Sequence, residues 1–156
     1  KKENITVVLP LAYGDAENAE KIKEEALNIF GKNKVEFWED FVTYEEYARR
    51  IHGIDIAIID NIYSNGLGNW ALLTFFKKKI YINKKGNIAQ SCKRNNVKID
   101  YTENIQGESF EQFSKYYFDP KLKMYEEISA QKVCEIWKHT LDQLKTNGQI
   151  KLLEEK

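Results

Sequence analysis

Two periods organise the apolar positions of this chain. Short apolar runs rich in β-branched residues lie at 5–9, 35–38, 54–59 and 80–82, with a weaker run at 97–99. Runs of this length and composition predict buried strands. Pro10 is expected to stop the first. Between the runs the spacing changes to that of a helix. Ala19, Ile22, Ala26, Leu27 and Phe30 share one face, after Asp15 in an N-cap position and before Gly31. Tyr44, Tyr47, Ala48 and Ile51 repeat the pattern behind a Thr43/Glu46 capping pair, and Gly53 closes it. Gly66 and Gly68 open a mostly apolar helix containing Trp70, Leu72, Leu73, Phe75 and Phe76. A further helix is expected at 87–94.

The regular alternation gives way after Asp100. Ser109 and Gln112 suggest another capping box, with Phe110 and Phe113 facing inward, and Asp119-Pro120 breaks the chain. Val133, Ile136, Trp137, Thr140, Leu141 and Leu144 then form the cleanest amphipathic stripe, on a helix starting near Ser129 and ending at Gly148. Alternating strands and helices imply parallel strands with crossover helices. The expected fold is α/β, a Rossmann-like parallel sheet of about five strands in the order 2-1-3-4-5 with helices on both faces. Residues 1–147 are expected to form the domain and 148–156 a charged tail.

Composition narrows the function classes. The 24 Lys and Arg balance 24 Asp and Glu, which argues against a general nucleic-acid binder. Aromatic residues at 13% argue against disorder. No apolar run approaches the length of a membrane span. Cys92 and Cys134 make no disulfide framework, so a reducing, cytoplasmic compartment is expected. Neither they nor His52 and His139 have metal-ligand spacing, so no metal or cofactor is expected.

Ligands of open α/β sheets bind beyond the carboxyl ends of the strands, which selects the turns at 10–15, 39–42, 60–69 and 83–87. Tyr63-Ser64-Asn65-Gly66-Leu67-Gly68-Asn69 is the sharpest of these. Two glycines admit close backbone approach, and the helix that follows offers free N–H groups to a phosphate or diphosphate. The competing reading is a plain strand-to-helix turn. The turn lacks the three glycines of the dinucleotide fingerprint and the Gly-Lys-Ser/Thr of a P-loop. Tyr13 and Gly14 occupy the turn after the first strand. Trp38 ends the second, where an aromatic can stack on a base or simply fill the core. Lys77-Lys78-Lys79 and Lys84-Lys85 flank the fourth strand and can steer a diphosphate, touch anionic lipid or stay solvated. His52 suits the last turn of its helix, His139 lies off its helix's apolar stripe, and Ser91 and Cys92 have no base nearby in sequence. Asp60 ends the third strand, as the phospho-accepting Asp of a receiver domain does. However, Leu9-Pro10-Leu11-Ala12 lacks that domain's acidic pair, and Asp100-Tyr101-Thr102 lacks its Lys.

Taken in order, Pro10-Leu11-Ala12-Tyr13, Leu27-Asn28-Ile29-Phe30-Gly31, Tyr44-Glu45-Glu46-Tyr47 and the glycine turn resemble the bacterial 4-acetamido-4,6-dideoxy-galactose transferases. These are also termed 4-alpha-L-fucosyltransferases, and they act in enterobacterial common antigen synthesis. The resemblance runs over roughly 5–144 and includes Asn83, after the fourth strand, and Trp137 in the final helix. Where that family has Arg-Gln-Gln before its glycines, this chain has Tyr63-Ser64-Asn65. The resemblance implies the C-terminal, donor-binding half of a GT-B glycosyltransferase and an inverting transfer from a TDP-linked amino sugar. It also implies an acceptor on undecaprenyl diphosphate and work at the cytoplasmic face of the inner membrane, with peripheral membrane association. The family's upstream βα unit and acceptor domain have no counterpart here, so the chain is expected to be a piece of a longer enzyme. The catalytic base would belong to the acceptor domain, and no catalytic residue is assigned here. The expected donor-binding residues are Tyr13, Gly14, Trp38, Ser64, Asn65, Gly66, Gly68, Asn69 and Asn83, with no metal. A non-enzymatic nucleotide- or phosphate-binding module of flavodoxin-like shape is the alternative. A protein-interaction domain of that shape is a third reading.

Overall fold

The computed structural model describes residues 3–63, 66–122 and 130–146. The chain is mixed α/β and divides into two compact units, Lys1–Tyr47 and Ala48–Lys156.

In the first unit β1 (Val7–Pro10) pairs in parallel with β2 (Val35–Trp38), from Val7 opposite Val35 to Pro10 opposite Trp38. The strand therefore keeps Pro10, which was expected to stop it. The helix between them, α1 (Ala16–Phe30), starts where the Asp15 carboxylate accepts the Asn18 N–H at 2.8 Å. A cap of this kind is worth about 1 kcal/mol. The helix ends at Gly31, whose N–H donates to Leu27 O. Of its apolar stripe Ala26 is buried, whereas Leu27 and Phe30 remain exposed. The Thr43 hydroxyl accepts the Glu46 N–H (3.3 Å) at the start of α2 (Tyr44–His52). Tyr44 is exposed, against the inward position its spacing suggested.

The second unit holds a parallel sheet of three strands, β3 (Ile56–Ile59), β4 (Lys79–Ile82) and β5 (Asp100–Tyr101), in that order. Helix α3 (Leu67–Phe75) joins β3 to β4, and α4 (Asn87–Arg94), at its expected bounds, joins β4 to β5. The sheets seen are thus one of two strands and one of three. The central strand β4 is buried at every residue. Ile80 and Ile82 there contribute roughly 1.5–3 kcal/mol each by the usual value for a buried aliphatic side chain. Trp70, Leu72 and Leu73 of α3 and Ala89 and Cys92 of α4 complete this core.

β5 was expected at 97–99 and forms instead at Asp100–Tyr101. The reason lies downstream. Asp119 is buried, and its carboxylate accepts backbone N–H groups from Lys98 (2.6 Å) and Lys121 (2.9 Å). The Lys98 amide is spent on a side chain, so ladder pairing begins after it. These two N–H donors hold the Asp119 carboxyl below the usual carboxylate range.

The segment after β5 folds back over β4. It contains a 3₁₀ stretch (Thr102–Gly107) and α5 (Phe110–Ser114), opened by the full Ser109/Gln112 capping box. Phe113 stacks on Tyr81 with centroids 5.3 Å apart, while Phe110 is 43% exposed.

Helix α6 (Ala130–Thr146) carries the amphipathic stripe, but Ile136, Trp137 (62% exposed) and Leu141 lie open, with Thr140 and Leu144 half-buried. The inward docking expected of this stripe is not seen. The Val133 side chain, Ser129 and the tail from Gly148 lie outside the described residues.

Two outcomes are expected. Trp137→Ala should change unfolding free energy in urea by less than about 1 kcal/mol, as exposed positions do. A larger loss would place this ring in a core. Asp119→Asn should lower the melting temperature at neutral pH. A carboxyl with a depressed pKa in the folded state stabilises above its unfolded value of about 4 and loses that contribution as pH falls through the folded one. The gap between variant and parent should therefore close below about pH 4, and a gap constant with pH would refute the ionised, N–H-bonded carboxylate.

Candidate functional site

In a parallel sheet each strand delivers its following loop to the same edge. In the second unit that edge collects the turns after β3, β4 and β5. Asp60 is the knot between them. Its Oδ1 accepts the Asn83 amide N–H (3.0 Å) and the Thr102 hydroxyl (2.7 Å), tying together the ends of all three strands. The Asn83 backbone N–H donates to Ile59 O, and its side-chain Oδ1 accepts the Lys85 N–H at 2.9 Å. Glu103 stands beside them, 3.5 Å from the Thr102 hydroxyl and 3.4 Å from the Lys84 N. The Lys84 ammonium lies 5.9 Å above the Tyr101 ring.

Two helices open at this edge. α3 starts behind Gly66, whose φ of 76° is left-handed and suits glycine. α4 starts behind Gly86, and neither cap makes a side-chain hydrogen bond to its helix. Helix N-termini of this kind carry partial positive charge and unsatisfied N–H donors. Gly68 and Asn69 lie inside the first turn of α3 rather than in the turn before it. A Cβ on Gly68 would meet nothing within 4 Å. Ser64 and Asn65 lie outside the described residues. Gly86 is different. A Cβ there would sit 2.5 Å from Asn61 O and 3.1 Å from Asn83 O. The Asn87 N–H donates to Ile62 O beside it, at 3.1 Å.

The first unit presents its own strand ends. Tyr13 is 84% exposed and meets Phe41 edge-on at 4.8 Å, and Gly14 follows it with a φ of 110°. Trp38 is 8% exposed, gives its indole N–H to Glu36 (2.6 Å) and packs edge-on to Tyr47. Its ring is part of the packing of that unit. Sequence reasoning passed over Phe41, Thr102 and Glu103. Placing β5 three residues later would have put Thr102 and Glu103 in the turn to inspect.

Other reactive side chains stand apart. Cys92 is buried, which raises its thiol pKa and disfavours a thiolate. His52 packs edge-on to Phe76, and His139 contacts Gln143. Among the described residues no group of three or more His, Cys, Asp or Glu is placed to hold a metal ion, and no helix is long and apolar enough to cross a membrane. Comparison with protein families, curated proteins and solved structures finds no match to this chain.

The close approach at Gly86 is open to test. Gly86→Ala forces a methyl group against two backbone carbonyls and should cost about 1–3 kcal/mol, the usual range for overpacking. Gly68→Ala, in an open helical position, should be neutral or stabilising by up to about 1 kcal/mol. Denaturant titration of both variants measures the contrast. Equal effects would mean that the two loops do not pack as described.

Proposed function

We propose that the chain binds a nucleoside diphosphate sugar at the carboxyl edge of its strands and acts as the donor half of an inverting GT-B glycosyltransferase. The observation that carries this reading is the pair of glycine-led helices, α3 and α4, opening at one edge beside the Asp60–Asn83–Thr102 cluster. Backbone N–H groups at the start of α3 would take the diphosphate, which becomes the leaving group. Their positive end stabilises the charge that develops there without a metal. Lys84 and Lys85 follow β4 at the same edge and add positive potential. The Asn83 amide, held between Asp60 and the Lys85 N–H, would offer its second N–H to the sugar or the phosphates.

The fold proposed is a single sheet of order 2-1-3-4-5, and Tyr13 and Gly14 are proposed among the donor-binding residues. The resemblance in motif order to the 4-acetamido-4,6-dideoxy-galactose transferases suggests a TDP-linked amino sugar and an undecaprenyl-diphosphate-linked acceptor at a cytoplasmic membrane face. The base that activates the acceptor would come from an acceptor domain.

Gly68→Val tests the site with little risk to the fold, because the position is helical and open. The added side chain would occupy the space in front of the α3 N-terminus. Loss of two hydrogen bonds to a charged group is worth roughly 3–6 kcal/mol, so TDP and UDP should bind at least about a hundredfold more weakly. Calorimetry on parent and variant, with circular dichroism as the folding control, gives the answer. Unchanged affinity in a folded variant would remove the diphosphate from this turn. Nucleotide binding without sugar transfer, once an acceptor domain is supplied, would favour the non-enzymatic module.

A further inference from the structure

Between Asp60 and Asp100 the chain carries eight Lys or Arg and no Asp or Glu. The fold of the second unit sorts these charges between opposite edges. Lys84 and Lys85 follow β4 and lie at the carboxyl edge. Lys77 and Lys78 precede β4, Lys93 and Arg94 end α4, and Lys98 precedes β5. Connectivity therefore puts these five at the amino edge, away from the proposed donor site. Contacts bring three of the five, Lys77, Lys78 and Lys98, to the same Tyr116–Tyr117 segment. Lys78, Lys98 and Tyr117 line one shallow concavity, the Lys98 ammonium lies 4.8 Å over the Tyr117 ring, and the Tyr116 hydroxyl donates to Lys77 O at 2.8 Å.

Two of the carboxylates that stand among them are engaged. Asp119 holds two backbone N–H groups, and Asp100 pairs with the buried Lys79 at 3.7 Å. Asp55, at the start of β3, remains exposed. Lys77, Lys78, Lys93 and Arg94 make no ion pair among the described residues. Phe75, two residues before Lys77, is 61% exposed.

We infer that this amino edge is a docking surface for a lipid bilayer rich in anionic headgroups. Several unpaired cations beside exposed aromatic rings match the two layers of such a surface. Lys and Arg meet the negative headgroup plane, and rings with an apolar body sit at its boundary with the acyl chains. A nucleic-acid duplex would answer the charge, but its bases are already stacked and give the Phe75 ring nothing to stack on, and the balanced charge of the whole chain argues against a nucleic-acid binder. The surface lies opposite the proposed donor edge and does not depend on what binds there.

Vesicle co-sedimentation of the whole chain tests this. It should pellet with phosphatidylglycerol-containing vesicles and not with pure phosphatidylcholine. Binding should fall as salt rises from about 0.1 M to about 1 M, where the Debye length shrinks from about 10 Å to about 3 Å. Each cation near such a surface is worth about a fivefold factor in partitioning. Lys93→Glu with Arg94→Glu should then weaken binding by about thirtyfold or more. Lys77→Glu with Lys78→Glu serves as a second pair should the first fail to fold, as read by circular dichroism. Lys84→Glu with Lys85→Glu makes the same charge change at the opposite edge and should bind vesicles nearly as the parent does. Equal binding to both vesicle types, indifference to salt, or an equal loss from the opposite-edge pair would overturn the assignment. So would tighter binding to an RNA or DNA oligonucleotide than to the anionic vesicles.

Discussion

Burial of two polar side chains on one strand dictates how the second unit is built. Lys79 and Tyr81 lie on β4, the central strand, and both are almost wholly removed from water. An ammonium and a phenol in that position cost several kcal/mol each if left without partners. The chain after β5 supplies them. Lys79 Nζ donates to the carbonyls of Gln112 (3.2 Å) and Phe113 (2.7 Å) and sits 4.8 Å from the Tyr81 ring centre. The Tyr81 hydroxyl donates to Glu108 at 2.6 Å. Burial, reinforced by that carboxylate, raises the phenol's pKa well above the ordinary tyrosine value, so it remains a neutral donor. The return of residues 108–113 across the sheet is thus a requirement of β4 as much as a consequence of the Ser109 cap.

With that face closed, the second unit keeps two edges of opposite character. One gathers loops, glycine-led helix starts and a hydrogen-bonded polar cluster. The other gathers strand beginnings and helix ends, and with them Lys and Arg. Helix dipoles favour this sorting, since cations suit helix C-termini and anions suit N-termini. A single parallel βαβαβ arrangement therefore puts glycine-led helix starts at one edge and five of the eight cations of residues 61–99 at the other.

Much of this was legible in the residues. Asp15, Gly31, Ser109 and Gln112 act where their types and spacing put them, because capping is local chemistry. The bounds of α4 followed from the same kind of local pattern. What escaped depended on partners far away in the chain. Lys79 reads as the third member of a solvated lysine run, yet it is buried, because its partners lie more than thirty residues downstream. β5 moved because the Lys98 amide goes to Asp119. The stripe on α6 has a core-like period, but periodicity shows which face is apolar and not what covers it. At the site, Gly66 was placed rightly as the opening of a helix, while Gly68 and Asn69 belong to its first turn. Asn83 began a turn that the fold selected, and the resemblance singled it out within that turn. Its partners Asp60 and Thr102 could be seen only once three strand ends met.

The close contact at Gly86 reaches beyond its own turn. The loops after β3 and β4 are fastened to each other by Asn83 N–H to Ile59 O and Asn87 N–H to Ile62 O, with no room for a Cβ between them. Loops on a protein surface ordinarily tolerate insertions and deletions one at a time. These two share their backbone partners, so a residue gained or lost in either shifts the register of both. Their lengths are expected to vary only together, and this part of the chain should accumulate changes of side chain far more readily than changes of length.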